Sequence, residues 1–529
     1  MPINQYENPP ASQTEVQSEN RDTKWDRRLK LFILLAVAVY FRFFHLDIKP
    51  PHFDEGINGH FVMSIWRDGF YSYDPTNFHG PLYFYLCHLA EILLGRGIDS
   101  FRLMNAGLAT LLVLAIYQYR VFKGLPATLA AWIVAVSPAF TFYGRYAIHE
   151  TLFVLGQVIF IYGRLLWMGR PTRISVTWMA TGAVILISTK ETFVIFFGTW
   201  IIAELSIRFI ELLEKSREPW TGLQDLSASE RHALFRDSLA TIGLSLLALV
   251  ALFTGFFERS QGIGDFFKAF TFWSKTGLTT ESGHQKPATY WIELFGHYEW
   301  PLLVGLVVVA IAFICLSDER RKQRLLLLFG FGHVLAYTLV PYKTPWLILN
   351  FWALAFWGLP ILSRRSARSA YGFFLIVILT FSYYRANQLN FLNFTDPSEP
   401  YVYVQTTKDY SDVLGVLRRR VDRAPEARND SIIVMVQDPW PLPYDLSLYP
   451  KMRYAKLIDL EKDPSIINQA SLILVDGSVL QGLRNVFPKK FARMKFQLRD
   501  AYASGFALFD ADEFASVLPA DVEIEEAAP

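Results

Sequence analysis

The sequence predicts a polytopic α-helical membrane protein with about eleven transmembrane helices and a small extracytoplasmic α/β domain at its C-terminal end. Between about Leu31 and Tyr384, apolar residues gather into runs of roughly 16–22, long enough to cross a hydrocarbon core of about 30 Å as helices. The sequence on either side of this region is polar. Of the 529 residues, 52% are hydrophobic and 16% aromatic. This composition excludes a disordered chain, and its clustering excludes a soluble enzyme.

The charge and the cysteine content say more about the class of membrane protein. Lys and Arg together number 51, Asp and Glu together 49, and the formal net charge is +2. Because there is no overall basic field to attract a polyanion, the sequence indicates no nucleic-acid partner. The two cysteines, Cys87 and Cys315, lie in apolar helical stretches, so we expect no disulfide framework.

The first segment, residues 1–29, is expected to be a disordered cytoplasmic tail that ends in a basic anchor. It does not resemble a signal peptide, because its polar lead is long and no small-residue cleavage site follows the first apolar run. A transmembrane domain is then predicted over 30–386. Its predicted spans are 30–46, 101–121, 126–143, 151–168, 174–189, 192–210, 238–256, 300–316, 325–340, 346–362 and 370–385.

One further apolar stretch, Pro81–Leu94, has about fourteen residues, a length typical of an interfacial or re-entrant helix. If it is not counted as a span, the basic connectors all fall on the side of the N-terminal tail, as the positive-inside rule requires. We therefore predict a multi-pass protein of the cell membrane with its N-terminus in the cytoplasm. The C-terminal domain and the loops 47–100, 137–150, 190–191, 258–299 and 340–346 would then face outward.

The C-terminal region, 387–529, alternates helical and strand patterns. Tyr410–Val421 has helical periodicity, while Ser431–Val436 and Ser471–Val475 are short apolar runs typical of buried strands. Strands that alternate with helices predict a small α/β domain. The segment Gln437–Tyr444 (QDPWPLPY) is expected to be an exposed loop stiffened by its prolines.

The first two outward loops contain most of the candidate site residues. Asp54 and Glu55 directly follow the first span, and His79 precedes the short apolar helix. Adjacent acids at a membrane surface are costly unless they are solvated, paired or metal-bound. Arg42, near the outer end of the first span, is expected to pair with one of these acids. The second loop supplies Arg145, His149 and Glu150, and a four-residue spacing would put Arg145 and His149 on one helical face.

The remaining outward corners add further polar residues. They are Lys190, Glu191, His284, Lys286, Tyr342 and Lys343. Each residue alone is as well explained by a solvated loop, a helix cap or an interfacial anchor. Their convergence on one face is the stronger signal, since the cytoplasmic loops offer only scattered basic anchors.

A carboxylate beside a basic pocket at membrane level suits a reaction whose leaving group is a lipid phosphate. Cations would stabilise the developing phosphate charge, and the carboxylate would accept a proton from the attacking hydroxyl. Sugar transfer from a polyprenyl-phosphate donor is such a reaction. One acid that acts as base without a covalent intermediate would invert the anomeric centre.

Several motifs resemble the GT-C superfamily of integral-membrane glycosyltransferases. They are FRFFHLDIKPPHFDEG, HGPLYFY, SPAFTFYGRYAIHE and ISTKE; GHQKPATYW, VPYKTPW and DPWPLPYDL are closer to a prokaryotic family named as flippase-activity-associated. The resemblance covers about residues 35–450. It implies that Asp54 is the catalytic or metal-coordinating acid, with Glu55 beside it, and that Glu150 is a second acid. A divalent cation, Mg²⁺ or Mn²⁺, is an open expectation, because His149 stands where metal-dependent members often have an acid.

Three functions remain open at this point. The first is an inverting glycosyltransferase that uses a polyprenyl-phosphate-linked sugar and a protein, lipid or glycan acceptor, with membrane lipids as its surroundings. The second is a non-catalytic or transport protein that handles lipid-linked sugars. The third is a structural assembly subunit, in which Asp54 would matter no more than scattered surface acids.

Overall fold

The structure, a computed structural model, describes residues 24–214, 222–278, 284–315, 320–358, 365–463, 465–484, 488–499 and 504–525. Of the predicted disordered tail, residues 1–23 lie outside the described residues, and the prediction was wrong for residues 24–29, which form the start of the first helix. The helices of the apolar region are α1 (Lys24–Phe43), α2 (Phe53–Asp68), α3 (Leu82–Leu94), α4 (Ile98–Gln118), α5 (Ala127–Val136), α6 (Pro138–Phe142), α7 (His149–Gly169), α8 (Arg173–Thr189), α9 (Phe193–Leu213), α10 (Ala228–Phe253), α11 (Gly262–Leu278), α12 (Tyr290–His297), α13 (Trp300–Cys315), α14 (Arg321–Leu339) and α15 (Arg365–Asn387).

The apolar region is a multi-pass helical bundle, as predicted. Within the described residues, six helices are long and apolar enough to cross a membrane, namely α1, α4, α7, α9, α10 and α15, and a bent helix pair makes a seventh candidate. The other four predicted spans coincide with α8, α13, α14 and a 3-10 helix over Pro345–Phe356. The total of eleven spans stays a prediction, as does the compartment that each terminus occupies.

The predicted span 126–143 is interrupted. Helix α5 ends at Val136 and α6 begins at Pro138, with a bend of 61° between the two helical segments. Proline lacks an N–H donor and pushes the residue before it, Ser137, out of the helical region. The interruption frees backbone carbonyls at the end of α5, and Arg42 donates to two of them, Val134 O at 3.1 Å and Ala135 O at 3.2 Å.

The prediction that Arg42 pairs with an acid of the first loop was therefore wrong. A buried guanidinium needs several acceptors, and the broken helix supplies them from the backbone. Helical periodicity could not reveal this, because it does not show where a proline leaves carbonyls without partners.

The segment Pro345–Phe356 forms a 3-10 helix in the core of the bundle, with all twelve residues buried. The predicted α-helical span 346–362 is thus wrong in helix type, and its last four residues lie outside the described ranges. A 3-10 helix rises about 2.0 Å per residue, so this tighter helix reaches farther through the core than an α-helix of equal length.

The C-terminal region folds into the predicted α/β domain. Its helices and strands are α16 (Lys408–Arg423), β1 (Ile432–Met435), α17 (Leu442–Asp445), β2 (Met452–Tyr454), α18 (Leu457–Lys462), α19 (Ser465–Asn468), β3 (Leu472–Asp476), α20 (Gly477–Arg484), β4 (Phe491–Phe496), β5 (Gly505–Asp510), α21 (Ala511–Phe514) and β6 (Glu523–Glu525). The sheet order is β2-β1-β3-β5-β4-β6, with β2, β1 and β3 parallel and the rest antiparallel.

The two faces of this sheet are covered by different helices. Ile432 and Val434 pack with the apolar side of α16, whereas Ile433 and Met435 pack with residues of α19 and α20. This alternation follows from the two-residue period of a strand. Both faces of the sheet are therefore buried. This burial explains why every residue from Ile432 to Val436 is apolar.

The segment Gln437–Tyr444 is not the exposed loop that was predicted. Leu442 is fully buried and Tyr444 is 6% exposed, because this segment packs on α2. A Cβ atom at Gly56 would overlap Pro441, and one at Gly59 would overlap the Tyr444 ring. The two glycines thus let α2 approach the C-terminal domain closely, and the first outward loop and that domain lie on the same side of the bundle.

A buried carboxyl group directly after this segment, that of Asp445, predicts a pH-dependent stability. Burial raises the pKa of Asp445 to about 7, although its hydrogen bond from Tyr410 opposes the shift. The folded protein therefore binds more protons than the unfolded chain between about pH 4 and pH 7, and its stability falls as pH rises through that window. We expect Asp445→Asn to be more stable than wild type at pH 8 by on the order of 2 kcal/mol, and equal to it near pH 4.

The measurement is thermal unfolding of the detergent-solubilised full chain at both pH values. Asp422→Asn, an exposed acid on α16, is the matched control and should show no pH-dependent difference from wild type. A stability gain at pH 8 that persists at pH 4 would count against ionisation of Asp445 as its cause.

Candidate functional site

Five of the segments that are predicted to face outward meet around one cavity of about 150 Å³, here named the Asp54 cavity. Its polar side chains come from the start of α2, the loop before α3, the start of α7, the corner between α8 and α9, and the loop after α14. The predicted residues that line it are Asp54, His79, His149, Glu150, Lys190, Glu191 and Tyr342. Side chains far apart in sequence are therefore brought together, as their convergence on one face predicted.

Asp54 reaches this cavity from the first turn of α2. The helix begins there because the His52 side chain accepts from the Asp54 backbone N–H, at 3.1 Å, and Glu55 accepts from the His52 N–H, at 2.9 Å. The Asp54 carboxylate is 31% exposed, and the basic group that it approaches in the described chain is His52 Nδ1, at 4.0 Å. It is thus a partly exposed carboxylate in the first turn of a helix, where the helix dipole interacts favourably with negative charge.

Opposite Asp54 lies a buried ion pair between Lys190 and Glu150. Burial alone would lower the pKa of Lys190, but Glu150, then Glu191 and Asp54, raise it above its usual value. The ammonium group therefore stays charged, and its field extends toward Asp54. Such a pair is stable out of water only because charge and hydrogen bonding are satisfied together.

The second polar pair of the cavity is His79 and Glu191, joined at 3.0 Å between Nδ1 and Oε2. The ring of His149 lies beside it, with its centroid 4.6 Å from that of His79 and 4.4 Å from that of Tyr83. The Nε2 atom of His149 is buried and has no hydrogen-bond partner in the described part of the chain. A buried polar atom without a partner is costly, and this one belongs to a residue that lines the cavity.

Six predicted site residues do not line the cavity. They are Arg42, Glu55, Arg145, His284, Lys286 and Lys343. Glu55 is fully buried and pairs with Arg102 of α4. Lys343 donates to the carbonyls of Val340, at 2.6 Å, and Lys286, at 3.3 Å, and so binds the chain next to it.

Arg145 and His149 do not share a helical face, contrary to the prediction. A 3-10 turn ends at Arg145, and α7 begins only at His149. Arg145 donates to the carbonyls of Phe41, at 3.0 Å, and Phe44, at 2.7 Å, which lie at the end of α1. It therefore satisfies the C-terminal carbonyls of α1, a common use of a basic side chain at a helix end.

His284 and Lys286 lie in a layer behind Tyr342. His284 Nδ1 lies 2.6 Å from the Tyr403 hydroxyl, and its ring centroid is 5.0 Å from that of Tyr342. Burial lowers the pKa of His284, partly offset by Asp54. Lys286 Nζ lies 5.7 Å from the centre of the Tyr403 ring. Both residues flank the cavity without lining it.

Sequence reasoning missed several residues of this site. Asn58, one turn after Asp54 on α2, donates to Ala147 O at 2.8 Å and lines the cavity. Trp273 of α11 also lines it, although α11 lies in a loop from which only polar residues had been selected. The four-residue spacing of Asp54 and Asn58 on a helix was a signal that could have identified Asn58.

For a bound Mg²⁺ or Mn²⁺, the described lining of the cavity offers one carboxylate that is not already held by a close cationic partner, that of Asp54. Among the described residues, no three His, Cys, Asp or Glu side chains are grouped to hold a metal ion. Glu150 is paired with Lys190 and Glu191 with His79, so two of the three carboxylates already have partners. Magnesium usually binds through one or two carboxylates together with substrate phosphates, so Asp54 would hold it only with oxygen atoms of a bound donor.

Structural comparison found similar solved structures. ArnT from Cupriavidus metallidurans aligns with 92% of this chain and 99% of its own, with a TM-score of 0.57 at 12% identity in the apo state and 0.54 at 11% identity bound to undecaprenyl phosphate. Mycobacterial arabinofuranosyltransferase AftD aligns with 92% of this chain over 40% of its own, at 14% identity and a TM-score of 0.43. No protein-family model and no curated protein matches the sequence. The likeness to ArnT confirms the predicted fold class.

Proposed function

We propose that this chain, which has the fold of the GT-C glycosyltransferases, transfers a sugar from a polyprenyl-phosphate donor to an acceptor hydroxyl in the Asp54 cavity. The observation that carries the proposal is the partly exposed Asp54 carboxylate, which lines the same cavity as the buried Lys190–Glu150 pair. In such a displacement the attacking hydroxyl needs a proton acceptor, and the leaving phosphate needs a cation. Asp54 and Lys190 would provide these two groups in one small cavity.

In the proposed reaction, an Asp54 carboxylate oxygen accepts the proton of the acceptor hydroxyl. The hydroxyl oxygen attacks C1 of the sugar as the bond from C1 to the phosphate oxygen breaks. The electron pair of that bond leaves with the polyprenyl phosphate. Attack from the face opposite the leaving group inverts the anomeric centre, and no covalent enzyme intermediate forms.

The remaining residues of the cavity are proposed to hold the donor. Lys190 supplies positive charge for the phosphate, and the buried pair with Glu150 fixes the position of its ammonium group. The unpartnered Nε2 of His149 would gain a hydrogen bond from or to the bound donor. Electrostatic stabilisation of the leaving phosphate is effective when the charged side chains are already held in position before the reaction.

The ArnT structure bound to undecaprenyl phosphate supports a polyprenyl phosphate as the lipid partner of this chain as well. Trp273 on α11 lines the Asp54 cavity, and α11 exposes Ile263 and Phe267 on its surface. A helix with apolar residues on its surface and one aromatic side chain in the cavity suits a site that a lipid-linked donor enters from the bilayer.

The test uses the full chain in vesicles that carry undecaprenyl phosphate linked to radiolabelled mannose, glucose, galactose or arabinose, one sugar at a time. The acceptor is the envelope fraction of cells that lack the protein. We expect one donor to lose its label to the envelope fraction, with release of undecaprenyl phosphate. Binding of undecaprenyl phosphate without a sugar is measured in parallel, with undecaprenol as the control that lacks the phosphate.

The same vesicles separate transfer from transport. If the labelled donor exchanges between leaflets without release of undecaprenyl phosphate, the chain is a lipid-sugar transporter and the transferase proposal is wrong. If neither transfer nor exchange occurs and undecaprenyl phosphate binds no better than undecaprenol, the cavity does not handle such lipids.

A further inference from the structure

A second and larger cavity, of about 480 Å³, lies at the end of α2 opposite Asp54, between the helices of the first outward loop and the C-terminal domain. We name it the interdomain cleft. Met63 lines it and is nine residues beyond Asp54 on α2, which corresponds to about 14 Å along the helix. The interdomain cleft and the Asp54 cavity are therefore separate sites on one side of the bundle.

The floor of the interdomain cleft contains acids whose hydrogen bonds are satisfied. Glu91 of α3 accepts from Trp66 Nε1 at 2.6 Å, from the Gly97 backbone N–H at 3.2 Å, and from the Tyr444 hydroxyl. Asp445 accepts from the Tyr410 hydroxyl at 2.5 Å. Glu91 thus joins the first outward loop to the C-terminal domain, whereas the Asp445 contact lies within that domain. Neither acid forms an ion pair with an arginine of the rim among the described residues.

The rim of the cleft is basic. Arg96, Arg418 and Arg428 are exposed and line it, and none of them forms an ion pair in the part of the chain that the structure describes. The Arg96 guanidinium lies 4.2 Å above the Trp66 ring, which fixes its plane. Arg67 also lines the cleft, but Asp68 binds it at 2.8 Å. Asp422 is the one exposed acid among the described lining residues. Three guanidinium groups are thus available for an anionic ligand.

An exposed apolar helix face lies next to this rim. Helix α3 has 13 residues and is too short to span a bilayer, yet Leu89, Ile92 and Leu93 are 48%, 56% and 70% exposed. Their spacing puts them on one face of the helix. An apolar face of this kind is buried at the boundary between headgroups and acyl chains. Arg96 follows two residues after α3 ends, so the basic rim begins at headgroup level.

We propose that the interdomain cleft binds the anionic headgroup of a membrane phospholipid. Its phosphate is held by Arg96, Arg418 and Arg428, and its acyl chains lie along the exposed face of α3. Guanidinium groups match phosphate oxygens in bidentate geometry. Because Arg96 belongs to the first outward loop and the other two arginines to the C-terminal domain, one lipid would tie this domain to the bilayer surface.

The test measures binding to the purified full chain in detergent by calorimetry, with three probes. They are dihexanoyl phosphatidylglycerol, dihexanoyl phosphatidylcholine and glycerol phosphate. We expect the first to bind best. Each arginine changed to glutamine should weaken its binding about fivefold, so the variant with all three changes should retain almost none. Arg67→Gln is the matched control, because this arginine borders the same cleft but already has a partner, and binding should stay within about twofold of wild type.

A second variant tests the proposed contact between the acyl chains and α3. Leu89→Gln combined with Leu93→Gln should weaken binding of dihexanoyl phosphatidylglycerol and leave glycerol phosphate unaffected. The proposal is overturned if phosphatidylcholine binds as well as phosphatidylglycerol, or if the triple arginine variant binds like wild type. It is also overturned if glycerol phosphate binds as tightly as the lipid, since the cleft would then take a soluble phosphate ligand.

Discussion

Replacing Asp54 by asparagine is expected to lower the rate of sugar transfer by roughly 10²–10⁴-fold and to leave the protein folded and inserted. Asparagine keeps the size of the side chain but cannot accept the proton of the attacking hydroxyl. The backbone N–H of residue 54 still donates to His52, so α2 keeps its start. Loss of an acid from the first helical turn costs only about 0.3–1 kcal/mol.

The measurement is release of undecaprenyl phosphate in the vesicle assay, with binding of undecaprenyl phosphate as the second readout. Binding should persist in Asp54→Asn, because removal of a negative charge from the cavity does not weaken attraction for a phosphate. Asp68→Asn is the matched control, since Asp68 lies on the same helix but fourteen residues away, or about 21 Å. Equal transfer rates for wild type and Asp54→Asn would eliminate Asp54 as the base.

The sequence predicted that the candidate site residues share one face, and most of the cavity, because both follow from the order of the spans. Once the apolar runs and the positive-inside rule set the topology, Asp54, His79, Glu150, Lys190 and Tyr342 fall on one side. The structure brings all five to one cavity. The sequence could predict this grouping without knowing any distance between the residues, because a membrane confines all loops of one side to the same surface.

The choice between Asp54 and Glu55 could not be made in the same way. Successive residues on an α-helix point about 100° apart, so one of two adjacent acids faces the cavity and the other faces the protein interior. The position of the basic partner decides which of the two acids faces the interior. That partner, Arg102, lies inside a predicted transmembrane span, and the sequence does not show that it reaches Glu55. Arg42 and Arg145 were misjudged for a related reason. Their acceptors are backbone carbonyls at helix ends, which a sequence does not display.

Replacing Glu55 by glutamine is expected to destabilise the protein by about 3–5 kcal/mol. Its Oε1 accepts from Arg102 Nε at 2.8 Å and from the Ala147 N–H at 3.0 Å. Its Oε2 accepts from Arg102 Nη2 at 2.6 Å and from the His52 N–H at 2.9 Å. Glutamine would leave the Arg102 guanidinium buried without a counter-charge and would put an amide donor against backbone donors.

The pH dependence of this loss has a definite sign. Burial alone would raise the pKa of Glu55, but the charge and hydrogen bonds of Arg102 and the backbone N–H groups of Ala147 and His52 lower it below its ordinary value. A lowered pKa contributes stability that is present above the unfolded value, about 4.3, and is lost as pH falls through the folded value. Thermal unfolding should therefore separate Glu55→Gln from wild type most at pH 7 and progressively less below about pH 4.

A double variant shows whether Glu55 acts through its partner. Arg102→Met alone leaves the Glu55 carboxylate buried and unpaired, and should destabilise the chain as strongly as Glu55→Gln does. Glu55→Gln with Arg102→Met removes both charges, and a buried pair replaced as a whole is often nearly neutral. We therefore expect the double variant to be more stable than either single variant, whereas additive losses would contradict direct coupling. Glu55 also fixes the His52 backbone at the start of α2, so its loss should misplace Asp54 and lower the rate of sugar transfer. The double variant should therefore recover stability without recovering that rate.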